Sequence, residues 1–148
     1  MAIVLPKFSR RRPTGQHSAE TEPALSITFC RPDARYRGGE WLRGSWQIRR
    51  IPAEEILGVE TSVLWYTEGK GEEDLQVHHF ERLGAAELLI RQLSEDQPFA
   101  TRLPYSPLSY DGQLLRIRWC VRLRIFLAGG DELMAQQLFC LTAPDARR

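Results

Sequence analysis

Residues 114–127, LLRIRWCVRLRIFL, constrain the fold more than any other stretch. From Leu115 onward the pattern alternates without a break. Leu115, Ile117, Trp119, Val121, Leu123, Ile125 and Leu127 fall on one side. Arg116, Arg118, Cys120, Arg122, Arg124 and Phe126 fall on the other. Successive side chains of a strand point to opposite faces, so this is a strand with one apolar face and one arginine face. A helix would scatter the four arginines around its circumference and leave no apolar stripe. At about 3.3 Å per residue the run would reach roughly 46 Å, long for a strand and suited to the centre of an antiparallel sheet.

The rest of the chain supplies neighbours for such a strand. In residues 25–30, Leu25, Ile27 and Phe29 alternate with Ser26, Thr28 and Cys30. A polar turn follows, with Gly38-Gly39 giving the backbone freedom for a reversal. In residues 40–50, Leu42, Gly44, Trp46 and Ile48 share a face; Gly44 either lets a neighbour pack close or marks a bulge. After a break at Pro52, residues 56–67 place Leu57, Val59, Thr61, Val63 and Trp65 on one face and Glu60, Ser62 and Tyr66 on the other. Further strands are predicted over 75–83, 98–103 and 132–141, the last with Ala135, Gln137, Phe139 and Leu141 on one face. Gly129-Gly130-Asp131 makes the final hairpin. Residues 84–93 read as a short helix or irregular segment, with a strand as the alternative, and 103–112 as a turning loop.

About seven half-apolar strands, with no βαβ rhythm and no internal repeat, predict an all-β fold of two packed antiparallel sheets. The 148 residues suit one domain, at 24–142, large enough to bury a core without disulfides or metal. Residues 1–23 read as a basic, flexible leader, with an arm for an acidic partner or a short edge strand at 3–5 as alternatives. Residues 143–148 read as a short tail. The net charge of +1 argues against a general nucleic-acid binder. Cys30, Cys120 and Cys140 are far apart and odd in number, which suggests reduced thiols in a cytoplasmic protein. No stretch approaches the roughly 20 apolar residues of a membrane span, and residues 1–8 have the wrong order of charge for a signal peptide.

Two motifs resemble the arrestin-like β-sandwich family. The first is Tyr36-Arg37-Gly38-Gly39-Glu40-Trp41-Leu42-Arg43-Gly44. Arrestin-like domains carry a comparable Tyr, Pro-Gly-Glu and a Gly early in the next strand; Gly38 stands where proline is frequent. The second is Phe99-Ala100-Thr101-Arg102-Leu103-Pro104, followed by Pro107, Ser109, Gly112, Ile117, Arg118 and Trp119. It is similar to the family's strand ending in Leu-Pro, loop with Pro and Ser, and long strand with a central aromatic. The resemblance implies an immunoglobulin- or arrestin-like sandwich that binds other proteins without catalysis. Some bacterial sporulation-control proteins share that fold. Arrestins pair two sandwiches and these residues have room for one, so the phosphate-sensing cluster between their domains is not carried over.

The arginine face is the leading candidate site. Arg116, Arg118, Arg122 and Arg124 form a ladder of like charge that repels itself unless neighbouring carboxylates answer it. Glu60 and Glu81 are the expected partners if the face is merely solvated. If it is a docking surface, its planar guanidinium forks suit a phosphate or an acidic segment. The second candidate is an acidic hairpin tip over 67–74 with Glu68, Lys70, Glu72, Glu73 and Asp74. Its Gly-Lys-Gly lacks the spacing of a phosphate loop, its acids lack the alternation of a calcium loop, and a loop tip does not bury a general acid.

His78 and His79 are adjacent in a strand and are expected on opposite faces, unable to share a metal. No CxxC pair supports zinc, and no Gly-x-Ser-x-Gly turn or Cys–His pair supports nucleophilic catalysis. No cofactor is expected. Trp46, Trp65 and Trp119 are in phase with apolar faces, whereas Trp41 is expected to be exposed. The reading that follows is a non-enzymatic adaptor or scaffold binding a protein partner through a sheet face, an edge strand or the acidic loop. The alternative is a module for an anionic small molecule or a carbohydrate, using the arginine face or Trp41. Opposite charge in the leader and in residues 54–74 also allows a homo-oligomer.

Overall fold

The computed structural model describes residues 3–7 and 22–145, with side chains described over 22–145. Ten strands are found among them: β1 (Ile3–Lys7), β2 (Ala24–Phe29), β3 (Arg35–Arg37), β4 (Trp41–Arg49), β5 (Ile56–Gly69), β6 (Leu75–Gly84), β7 (Gln97–Arg102), β8 (Tyr110–Asp111), β9 (Leu115–Leu127) and β10 (Glu132–Thr142). The seven predicted strands are present, and β1, β3 and β8 are additional short ones. A single turn of helix, α1 (Ala85–Leu88), follows β6, in keeping with the ambiguity of that segment.

The strands form two sheets. The larger runs β1-β10-β9-β5-β6, with β3 beside β10 and β8 beside β9; the smaller runs β2-β4-β7. All pairings are antiparallel except β3 with β10, which is parallel. The protein is an all-β sandwich. β9 lies where its alternation requires, between β10 and β5. Its Trp119, Val121, Leu123 and Ile125 are buried against Leu25, Ile27, Leu42, Trp46, Ile48 and Phe99 of the smaller sheet. Each such side chain contributes about 1.5–3 kcal/mol by leaving water. β1 places the start of the segment read as a leader in a strand, antiparallel to β10; residues 8–21 of that segment lie outside the described residues.

Two bulges change which side chains share a face. The β5–β9 register steps from Ile56 opposite Leu127 to Gly58 opposite Phe126, so Leu57 is the extra residue. Ile56 is therefore the buried one, and Leu57, expected on the inner face, is exposed. The β5–β6 register steps from Val63 opposite His79 to Leu64 opposite Val77, which leaves His78 as the extra residue. An extra residue breaks strict alternation. The expectation that His78 and His79 face opposite ways is thereby corrected. The His78 ring lies 6.1 Å from that of buried Trp119, and His79 shares the face of buried Val63. Both imidazoles turn toward the seam between the sheets.

Gly44 is required by close approach. A Cβ there would lie 2.6 Å from Phe99 Cζ and would collide with the Thr28 carbonyl oxygen. Phe99 therefore packs flat across β4 where a side chain would otherwise stand. Gly44→Ala is expected to destabilise the domain by about 1–3 kcal/mol, the usual range for overpacking a core. Urea unfolding followed by tryptophan fluorescence measures it; a change within error would mean that β2 and β7 yield freely there.

Candidate functional site

The outer face of the larger sheet carries the arginine ladder. Across it, Glu68 stands opposite Arg116, Tyr66 opposite Arg118, Leu64 opposite Cys120, Ser62 opposite Arg122 and Glu60 opposite Arg124. Alternate residues of one strand lie roughly 7 Å apart, close enough for like charges to disfavour one another in a half-buried row. Four carboxylates from three other strands relieve this. Arg116 Nε lies 3.0 Å from Asp111 Oδ1. Arg118 reaches Glu68 at 3.5 Å and Asp111 at 3.8 Å. Arg124 donates to Glu132 at 2.5 Å and lies 3.6 Å from Glu60, whose other oxygen holds Arg82 at 2.6 Å. The bond to Glu132 raises the Arg124 pKa above its ordinary value.

Arg122 differs. Among the described residues it meets no carboxylate, and it donates to Gln136 Oε1 at 3.1 and 3.3 Å. Gln136 in turn donates to the Tyr66 hydroxyl at 3.2 Å. Of the two partners expected from the sequence, Glu60 meets the ladder and Glu81 does not. Glu81 lies 3.8 Å from His79, and its place opposite Thr61 puts it on the inner face. Asp111 and Glu132 were not readable as partners, because only register and the β8 turn bring them there. Charge at a strand end beside an arginine run is the one signal the sequence holds.

The acidic tip is divided by the same geometry. Glu68 belongs to β5 and joins the ladder through Arg118. Lys70, Glu72, Glu73 and Asp74 are exposed beyond it. The tip is closed by Thr67 and Asp74, which exchange a backbone bond of 2.9 Å and a bond of 2.8 Å from the Asp74 N–H to Thr67 Oγ1.

The centre of the outer face is apolar. Leu64 and Cys120 are paired there and buried, yet they lie outside the core cluster. Neighbouring rows carry Tyr66 with Arg118 and Ser62 with Arg122, and of these Tyr66 and the two arginines are long enough to cover them. Burial pushes the Cys120 thiol up to about 12 and raises Tyr66 for the same reason. The row continues at either side into Val77 on β6 and Leu138 on β10. With Leu75 and Phe80 on the same face of β6, three large apolar side chains are 46–52% exposed along one strand. β6 is also an edge, paired only with β5 among the described residues. The sequence offered no sign that this strand, rather than the arginine strand, would present the open apolar surface.

No protein-family model matches the chain, and no curated protein matches it. Among solved structures it is similar to Spo0M, the sporulation control protein from Bacillus subtilis, with a TM-score of 0.54 and 13% identity. The match covers 82% of this chain and 50% of Spo0M. The fold is arrestin-like. At that identity the similarity is one of fold, and the chain spans half of Spo0M's length. A superoxide reductase (neelaredoxin) from Ignicoccus hospitalis superposes over 81% of this chain and 80% of its own, at 10% identity and a TM-score of 0.46, too low to bear on function. Among the described residues of the arrestin-like sandwich, no helix is long and apolar enough to cross a membrane.

The ion pairs differ in exposure, and their contributions are expected to differ with it. Arg116 and Asp111 are open to solvent, so Arg116→Ala is expected to change stability by less than about 0.5 kcal/mol. Glu60, 13% exposed and shared by two arginines, is expected to cost about 1–2 kcal/mol as Glu60→Gln. Chemical denaturation of both variants in one buffer tests the order, and equal losses would contradict it. A second expectation concerns alkali. The folded Cys120 thiol holds its proton up to about 12 against an ordinary value of 9.0. Its contribution is intact below 9 and is lost between 9 and 12, as the unfolded thiol ionises first. Thermal melting should therefore fall with rising pH from about 9, and Cys120→Val should flatten that fall. An unchanged slope would place the alkaline sensitivity in the tyrosines.

Proposed function

We propose that this domain is a non-enzymatic adaptor that binds a protein partner by accepting an extended segment along β6. One observation carries the reading: a ten-residue edge strand whose outer face displays Leu75, Val77 and Phe80 about half exposed. An open strand edge offers unpaired backbone N–H and C=O groups, and an added strand takes affinity from those bonds and specificity from alternate side chains. The fitting segment is extended and apolar at every second residue, so that its own side chains continue the row of Val77, Leu64, Cys120 and Leu138. Arg82 and Glu60 at one end of β6 fix its polar register. The arginine ladder, largely compensated, lies on β9 with β5 between it and β6, and would stiffen the sheet rather than touch the docked strand. The arrestin-like fold and its similarity to a sporulation control protein agree with a regulatory, partner-binding role.

A photoreactive benzoylphenylalanine at position 80 tests this in the native cell. An adduct with a different protein is expected, and it should disappear when Val77→Asp is added to a chain that circular dichroism shows to be folded. Adducts with a second copy alone would replace the adaptor reading by self-association through β6. Absence of any adduct would overturn it.

A further inference from the structure

The end of the sandwich where β2 gives way to β3 holds a second feature, remote in the sequence from β6. A cavity of about 400 Å³ there is lined by Cys30, Arg31, Tyr36, Glu40, Trp41 and Arg43. Its volume lies in the range of small-molecule sites. Tyr36 is 1% exposed, and among the described residues its hydroxyl has no hydrogen-bond partner. Burial raises the Tyr36 pKa, and the Arg31 backbone N–H, a donor, opposes this in part without offering the phenolic proton an acceptor. The phenolic proton therefore lacks an acceptor among the described residues. A buried donor without an acceptor costs about 1–3 kcal/mol, and such a cost calls for an explanation.

The walls say what kind of acceptor fits. Arg31 is held in place three times: its guanidinium pairs with Glu40, donates to the Arg35 carbonyl at 3.1 Å and stacks 5.0 Å over the Tyr36 ring. Glu40 is itself tied back by accepting from the Arg37 N–H at 3.2 Å. A guanidinium has five N–H donors, so the pair with Glu40 leaves some for another oxygen. Arg43 meets no carboxylate among the described residues and lies 5.3 Å over the Trp41 ring. Trp41 is 51% exposed and leaves indole surface open. One compensated arginine, one uncompensated arginine and a tyrosine with an unpartnered hydroxyl line a single pocket beside an open aromatic face.

We infer that this pocket binds a small organic oxyanion, a carboxylate or phosphate borne next to a planar ring. Arg43 and Arg31 grip the oxyanion with their N–H forks. The Tyr36 hydroxyl donates to one of its oxygens, and the ring lies against Trp41. Charge balance agrees: Arg31 and Arg43 against Glu40 leave one positive charge to neutralise. This site shares no residue with the β6 edge, so it stands or falls independently of the adaptor reading.

The test uses the full chain with benzoate and phenyl phosphate as probes, at an ionic strength held constant with chloride. Binding is read by calorimetry and by the Trp41 fluorescence change, with Trp41→Phe as the blank for the optical signal. Saturable millimolar binding is expected for one or both probes, and the better one names the oxyanion. Arg43→Ala should weaken it about tenfold or more, the scale of one charge-assisted bond, and Tyr36→Phe several-fold. Arg116→Ala should leave it unchanged. Tyr36→Phe also separates a ligand group from a merely strained one. A variant that melts higher yet binds the probe as the wild type does would overturn the proposal. So would a wild-type chain that shows no saturation with either probe, or equal binding by Arg43→Ala.

Discussion

Everything in the larger sheet depends on keeping four arginines of one strand in a half-buried row. β9 cannot avoid the row, since its opposite face supplies Trp119, Val121, Leu123 and Ile125 to the core. A one-residue slip would exchange the two faces and bury the guanidiniums. The register is consequently held from both sides: by the apolar residues below, and by Glu60, Glu68, Glu132 and Asp111 above. The acids come from β5, β10 and β8, so each neighbour of β9 contributes charge as well as backbone bonds. Exposed pairs such as Arg116–Asp111 contribute little energy singly. Their collective effect is specificity, because other registers would part the arginines from these carboxylates.

This logic also shows what a sequence can and cannot disclose. Period-two patterns reveal faces directly, and the core positions of β2, β4, β9 and β10 were legible from them, as were the exposure of Trp41 and, as one of two readings, the close approach of a neighbour at Gly44. The short strands β1, β3 and β8 have two to five residues, too few for a pattern to rise above turn chemistry. Bulges were hidden for a different reason. A single extra residue such as Leu57 or His78 has no composition of its own, yet it reverses the faces that alternation assigns. Both histidines thus turn inward, and an apolar Leu57 turns out. The ladder's residues were legible, but its partners were not. Asp111 arrives through a loop and Glu132 through a hairpin, and Glu81, close to the ladder by counting, is removed from it by facing the other sheet.

The two candidate sites lie in separate places and have different characters. One is an edge, long and apolar, suited to a backbone; the other is a pocket, small and cationic, suited to an oxyanion. The ladder resembles neither, because most of its charge is already answered. The residues most prominent in the sequence are therefore those most committed to holding the sheet, and the free binding capacity lies beside them. Arg43, set between Leu42 and Gly44 in the sequence, has more uncompensated charge than Arg124, which lies in the conspicuous run.

An open apolar edge is a hazard for any sheet protein, and the geometry around β6 shows how this one limits it. His78, the bulged residue, bonds through its ring to the carbonyl of Arg102 on β7 at 2.8 Å, which ties β6 to the smaller sheet at one point and leaves its backbone edge open. The same bulge interrupts β6 between Val77 and His79 and increases its local twist, which discourages long flat pairing with another chain. Arg82, and beyond it the turn of α1, end the apolar stretch. What remains open on the outer face is the short run Leu75, Val77 and Phe80. A segment that docks there must match a twisted and interrupted edge, a requirement that admits a shaped partner strand and resists indiscriminate stacking.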